Sequence, residues 1–368
     1  MQEAGLRALE RWQSSETRGL EAWLVRVAHN ALVDELRKGA RQVPLGDEQE
    51  AAAPAPAPQL DDELCLIFLC CHPDLPRAAQ IALTLRIVYG FESAQIARAF
   101  LSDERTIAQR IVRAKQRLRD AQTPFELPEP AEIPARLAAI LDVLYQLFTE
   151  GHTSTADEAG IDDALCAESL RLTRLLAADA RWTSPEVEAL SALFCFHVAR
   201  SAARRADDGS LLLLHEQDRS RWDADLLAEG FQHLARSARG DSISRFHLEA
   251  GIAGCHARAM SYASTDWAEI VGLYELLRSA HPSPIVDVNR ALAVAMLRGA
   301  TAGLDELDAI PERELLARYP YALATYAELH ASLGQLAEAR EFLDRALEAQ
   351  TSPAERALLR RKRAALDS

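Results

Sequence analysis

The sequence predicts an all-α protein made of three helical pieces, and three observations carry that expectation. Ala and Leu dominate while aromatics are only 6% of residues, which favours helices packed by small and medium side chains over β-sheets. Apolar residues recur every three to four positions along most of the chain, the period of a helix with one buried face. Half of the 16 prolines fall in two short stretches, 43–59 and 123–134, where helices cannot continue.

The first piece spans 1–42. Leu20, Trp23, Leu24, Val27, Ala31 and Leu36 form one apolar face, and Gly39 sits where a C-terminal cap belongs, after Arg37 and Lys38. A Pro/Ala-rich linker follows at 43–59. Its Pro54-Ala55-Pro56-Ala57-Pro58 run reads as a semi-extended tether.

The second piece spans 60–122. Ile81, Leu83, Leu85 and Val88 make an apolar helix ended by Gly90. Residues 91–100 make a short second helix with Ser93 as the expected N-cap. Leu101-Ser102 turns the chain, and Asp103 or Ser102 caps a third helix running to about Arg119. A short helix, a tight turn and a longer helix are the proportions of a helix-turn-helix, whose second helix enters the major groove. A Pro-rich linker at 123–134 closes this piece.

The third piece, 135–368, reads as an α-helical extension with weak internal repetition. Helices are expected to start near Trp267, Thr301 and Leu336, with Gly299 and Gly334 as inter-helix turns 35 residues apart. A period near 34 is that of tetratricopeptide repeats, helix pairs in which small residues allow close approach. Residues 135–260 show no such period.

Net charge is −14, which argues against nucleic-acid binding over the whole surface. The charge is uneven. Residues 1–122 carry 16 basic and 17 acidic side chains, leaving −13 for 123–368, whereas 86–119 hold eight basic and three acidic residues, a local +5. One face suited to phosphate sits in an acidic protein. The longest apolar runs, Ile81–Leu85 and Leu211–Leu214, are far short of the ~20 residues that cross a bilayer. Charges at Glu3, Arg7, Glu10 and Arg11 replace any signal-peptide apolar region, so a cytoplasmic protein without membrane contact is expected.

On the third helix, Arg105, Thr106, Gln109, Arg110 and Arg113 fall within about two turns, and Lys115, Arg117 and Arg119 extend the basic track. Arg reads guanine edges or clamps phosphate, Gln can read adenine, and Thr can contact phosphate or a thymine methyl. Ile107 and Ile111 are expected to turn inward. A solvated basic face is the plainer reading of such a run taken alone; the helix and turn before it favour DNA.

Phe91-Glu92-Ser93-Ala94-Gln95-Ile96-Ala97, followed by Thr106-Ile107-Ala108-Gln109-Arg110-Ile111-Val112-Arg113-Ala114-Lys115, resembles region 4 of extracytoplasmic-function sigma factors. Residues 22–37, from Ala22-Trp23-Leu24 to Leu36-Arg37, resemble their region 2.4. Leu66–Pro73, Val143–Gly151 and Glu216–Asp223 are similar to recurrent segments of the subgroup with a tetratricopeptide-like C-terminal extension. The resemblance implies a region 2 domain at 1–42, a region 4 domain at 60–122, and two partners, the RNA polymerase core and promoter DNA. It places Arg26, Asn30 and Arg37 at the −10 strand, Gln13–Gly19 as a base-capturing loop, and Arg105, Thr106, Gln109, Arg110, Arg113 and Lys115 at the −35 element. Against that family the sequence opens part-way through region 2, so this domain is expected to be partial.

Other motifs are less specific. Cys65, Cys70, Cys71 and His72 lack paired C-x-x-C spacing and read as buried thiols, not a zinc site. Asp218, Arg219, Arg221 and Trp222 lie in a charge-dense run that reads either as a solvated loop anchored by Trp222 or as a contact between the extension and the sigma core. His152, His197, His233 and His247 read as structural. No phosphate loop or nucleophile elbow is present, so neither an enzyme nor a cofactor or metal is expected. The expected function is an alternative sigma factor whose extension either restrains it, by docking on the basic face, or recruits a protein partner through the repeats. The alternative is a helix-turn-helix regulator that acts without polymerase and uses the repeats as a ligand or partner sensor; a repeat scaffold with a vestigial DNA-binding half is a further one.

Overall fold

The structure, a computed structural model, describes residues 61–100, 102–120, 132–153, 160–207, 209–349 and 352–367. The helical face expected within 1–42, the tether at 43–59 and the −10 residues Arg26, Asn30 and Arg37 lie outside the described residues. Among those described the protein is all-helical, with sixteen α-helices and no strand beyond one isolated bridge between Arg205 and Leu211. The chain divides into two compact units, Met1–Val143 and Leu144–Ser368.

The first unit contains α1 (Asp62–Cys70), α2 (Arg77–Ile87), α3 (Ser93–Ala99), α4 (Glu104–Asp120) and the start of α5 (Ile133–His152). Asp61 begins α1 by accepting from the amides of Glu63 and Leu64 at 3.0 and 3.3 Å, which satisfies two of the donors every helix start leaves open. Gly90, with φ +72°, turns the chain between α2 and α3, a backbone angle that favours glycine. Ile67, Phe68, Leu83, Leu85, Ile96 and Ile107 are almost fully buried in the core of this unit. Buried Arg136 at the start of α5 donates to the Phe68 carbonyl at 3.4 Å and pairs with Glu132 at 2.9 Å, and Arg77 pairs with Asp142 at 2.7 Å. These bonds hold the first turns of α5 against α1 and α2.

The second unit runs through α6 (Asp163–Ala178), α7 (Pro185–Val198), α8 (Ala224–Ser237), α9 (Arg245–Arg258), α10 (Trp267–Ala280), α11 (Pro284–Arg298), α12 (Ala300–Asp308), α13 (Arg313–Leu316), α14 (Pro320–Ser332), α15 (Leu336–Glu348) and α16 (Pro353–Ala365). Ten consecutive residues of α7, Val187–Phe196, are buried; a helix apolar all round must lie in the middle of its domain. α6, α8 and α9 pack around it. From α9 onward most helices pack on the next in sequence, and α14 also meets α11 and α12.

Helices start at Trp267, Ala300 and Leu336, within a residue of the expected positions, with Gly299 (φ +98°) and Gly334 (φ +75°) at the turns before the last two. Between them α12 has nine residues and α13 only four, so the helices succeed one another without a uniform repeat length. Gly303 marks the closest approach: a Cβ built there would lie 2.5 Å from Ala295 Cβ and 3.0 Å from Leu329 Cδ1.

Candidate nucleic-acid interface

The helix-turn-helix is formed by α3, the turn at 100–103 and α4. The N-cap of α3 is Glu92 and not Ser93, which is the first helical residue. Glu92 and Gln95 cap reciprocally, with the Glu92 amide donating to Gln95 Oε1 at 2.9 Å. The three-residue spacing of an acceptor pair outcompetes a lone serine because it satisfies two open donors at once.

Of the two expected caps for α4, Asp103 is the one used. Its carboxylate accepts from the Thr106 amide at 2.8 Å and from the Thr106 hydroxyl at 2.6 Å. Those two bonds hold the Asp103 carboxyl below the usual carboxylate range. The negative charge also complements the positive end of the helix. With its hydroxyl donating to Asp103, Thr106 has no side-chain donor left for a phosphate.

Ile107 (0% exposed), Ile111 (6%) and Ala114 (3%) face inward as one stripe of α4. Arg105, Thr106, Gln109 and Arg113 are exposed, while Arg110 and Lys115 are half-buried. The Arg110 guanidinium lies over the Phe100 ring, 5.6 Å from its centroid, an attraction that steers a flexible side chain. Gln109 and Arg113 have no side-chain partner among the described residues. Sequence reasoning overlooked Val112. It is 66% exposed, an apolar side chain next to Arg113 on a helix whose isoleucines, Ile107 and Ile111, turn in. Its exposure fits contact with a thymine methyl.

Comparison with other proteins bears directly on this face. A protein of Rhizobium meliloti (strain 1021), named only as uncharacterized, is 37% identical over 371 residues, 98% of this chain and 87% of the relative. Residues 1–42 match the Sigma-70 region 2 family, and residues 65–118 match Sigma-70, region 4. The chain belongs to the sigma-70 family. The region 4 match takes in α2, α3 and nearly all of α4, so the sigma-70 assignment and the exposed basic face coincide. Sigma-70 membership gives the chain a role in promoter recognition, with RNA polymerase core and promoter DNA as partners, and makes it a transcription factor and not an enzyme. Residues 136–238 match a family of unknown function (DUF6596). No solved structure matches the chain.

Other residues singled out in the sequence are placed elsewhere. Asp218 caps a short 3₁₀ turn by accepting from the Ser220 amide at 2.9 Å. Arg219 lies 4.5 Å from the Trp222 ring centroid and donates to the carbonyls of His256 and Ala259 at 2.5 and 2.9 Å. Trp222 is buried and Arg221 exposed; the contacts this segment makes here are within the second unit. Cys70 and Cys71 are free and buried, with thiols pushed up to about 12 by desolvation. His72 Nδ1 accepts from the Asp74 amide at 3.2 Å. Cys195, Glu229 and His233 bring donor atoms within 4.8 Å of one another, an association that sequence spacing did not reveal. Both Glu229 oxygens accept from Arg174, at 2.7 and 2.6 Å, and His233 Nδ1 lies 2.5 Å from Glu188, so these groups are already bonded to protein partners. Among the described residues no helix is long and apolar enough to cross a membrane.

Proposed function

We propose that this chain is an alternative sigma factor of the extracytoplasmic-function type. It directs RNA polymerase, in the cytoplasm, to promoters with −35 and −10 elements. The observation that carries the reading is the exposed Arg105, Gln109 and Arg113 face of α4, set over an inward stripe of Ile107 and Ile111. In this reading Arg105, Gln109, Arg110, Arg113 and Lys115 lie at the −35 duplex. Thr106 serves through its methyl group and its cap. Arg26, Asn30 and Arg37 hold the melted −10 strand, where opening a base pair requires a pocket and phosphate clamps but no catalytic group. The helical extension, of tetratricopeptide-like character, modulates this activity.

Reconstitution tests the proposal. The chain is expected to co-purify with core polymerase and to start RNA synthesis from a template carrying both elements. Arg110→Ala or Arg113→Ala is expected to weaken −35 binding by about 1–3 kcal/mol where the arginine reads a base, and less where it touches only phosphate. Specific DNA binding without polymerase association supports a free-standing helix-turn-helix regulator instead. Unchanged DNA affinity in both variants refutes the assigned face.

A further inference from the structure

The second unit contains a half-open cavity of about 340 Å³, within the size range of small-molecule sites. Its walls come from the start of the unit, from α7, α9, α10 and α11, and from the segment before α8. Leu193, Phe196, Ile252, Leu277 and Val286 supply an apolar lining, and Arg200, His197, His256 and Asn289 supply the polar points.

Arg200 is the unusual member. Its described hydrogen-bonding contact is Nη2 with His197 Nδ1 at 3.3 Å, and the charged groups acting on it are two further cations, Arg204 and Arg219. Among the described residues no carboxylate pairs with it. The other guanidinium nitrogens are not sealed off in the protein, since they are absent from the buried, unpartnered atoms, which do include Arg219 Nη2 and Arg204 Nη1. Arg200 is half-buried and is one of the residues that line the cavity. Burial pushes Arg200 down to about 9, so it stays cationic at neutral pH, while desolvation with Arg200 and Arg219 pushes His256 down to about 4 and keeps it neutral. The cavity-lining carboxyl, Glu249, is hydrogen-bonded to Tyr145 and has Arg245 as its cation, and burial raises it. It does not serve as the counter-ion of Arg200.

A half-buried cation beside other cations and without an anion carries a cost, and removal of that cost by a ligand is a driving force for binding. We infer that this cavity is a binding site for a small organic carboxylate, its headgroup bonded to Arg200 and its apolar body against Phe196, Ile252 and Val286. A planar guanidinium fits a carboxylate through two parallel bonds, and the mostly apolar walls select an anion with a hydrocarbon portion over an inorganic one. The inference concerns the second unit alone and does not rest on polymerase binding.

Calorimetric titration of the full chain with hexanoate, benzoate, their neutral amides and inorganic phosphate tests it. At least one carboxylate is expected to bind saturably at one site, with its amide weaker by about tenfold or more, the usual scale for loss of a desolvated charge partner. Arg200→Met is expected to abolish that preference. It is also expected to raise the Tm of the ligand-free protein, because the uncompensated charge is gone, and this keeps the test independent of whether the variant binds anything. Arg200→Lys retains part of the preference. Failure of both carboxylates to bind, amides equal to acids in the parent, phosphate bound more tightly than either acid, or an unchanged Tm and preference in Arg200→Met each overturns the proposal.

Discussion

Thr106 shows how one side chain's role is decided by its neighbour. From sequence it is suited to phosphate or to a thymine methyl; the Asp103 carboxylate accepts the hydrogen bond of its hydroxyl at 2.6 Å and removes the first option. Histidines carry the clearest pH consequence at this scale. The rings of His152 and His197 lie 4.7 Å apart, and burial together with Arg200 and Arg204 holds both well below their ordinary 6.5. His256, facing Arg200 and Arg219, is lowered to about 4. Each is a base depressed by folding, so below pH 6.5 the unfolded chain takes up protons the folded chain refuses. The histidine contribution to the second unit's stability is therefore expected to be level from pH 6.5 to about 8, below the arginine range, and to fall as pH drops from 6.5 toward about 4. Melting curves across that window check this, with His256→Asn giving a shallower slope; equal slopes contradict it. The sequence marks His152 and His197 as structural but makes no mark of His256, and it does not show their neutrality, because these rings and the arginines meet only in the folded domain.

At the scale of the element, α4 is the most legible part of the chain. Its inward isoleucines, its exposed arginines and its cap by Asp103 are all among the expectations. Replacing Asp103 with Ala is expected to cost about 1 kcal/mol and to weaken DNA binding, because the first turn of the reading helix frays; Asp103→Ser restores most of both. Denaturant melts with parallel DNA titrations measure this, and undiminished stability in Asp103→Ala contradicts it. The start of α3 departs from expectation because Glu92 and Gln95 act as a pair, and a pair is easily overlooked beside a serine. The joint between α11, α12 and α14 makes a second prediction. A Cβ at position 303 would stand only 2.5 Å from Ala295 Cβ, so Gly303→Leu is expected to destabilise the domain by about 1–3 kcal/mol or more. An unchanged Tm contradicts that packing. Helix starts in this region are legible from Trp267, Ala302 and Leu336, whereas the shortness of α12 and α13 is not, since neither has a distinct period.

Over the whole molecule the separation of charge matters most. Residues 123–368 carry −13 while 86–119 carry +5, so the extension opposes approach to polyanionic DNA through its field, an effect weakened by salt. Removing residues 131–368 is expected to raise non-specific DNA affinity most at low ionic strength, and to raise transcription if the extension is a restraint. A fall in transcription assigns it a positive role. The helical class, the helix-turn-helix and the charge asymmetry are open to reading because each is local in sequence. The cavity is not, because Tyr145, Arg200, His256 and Asn289 are far apart in the chain and converge only through packing. Gly299 has a consequence for the lifetime of the domain. A proteolytic cleft grips several residues in extended form, and here one residue alone separates Arg298 from Ala300, each already wound into a helix. Scission at that bend requires a helix to unravel first, which ties turnover of the domain to the melting of its helices and not to the openness of a loop.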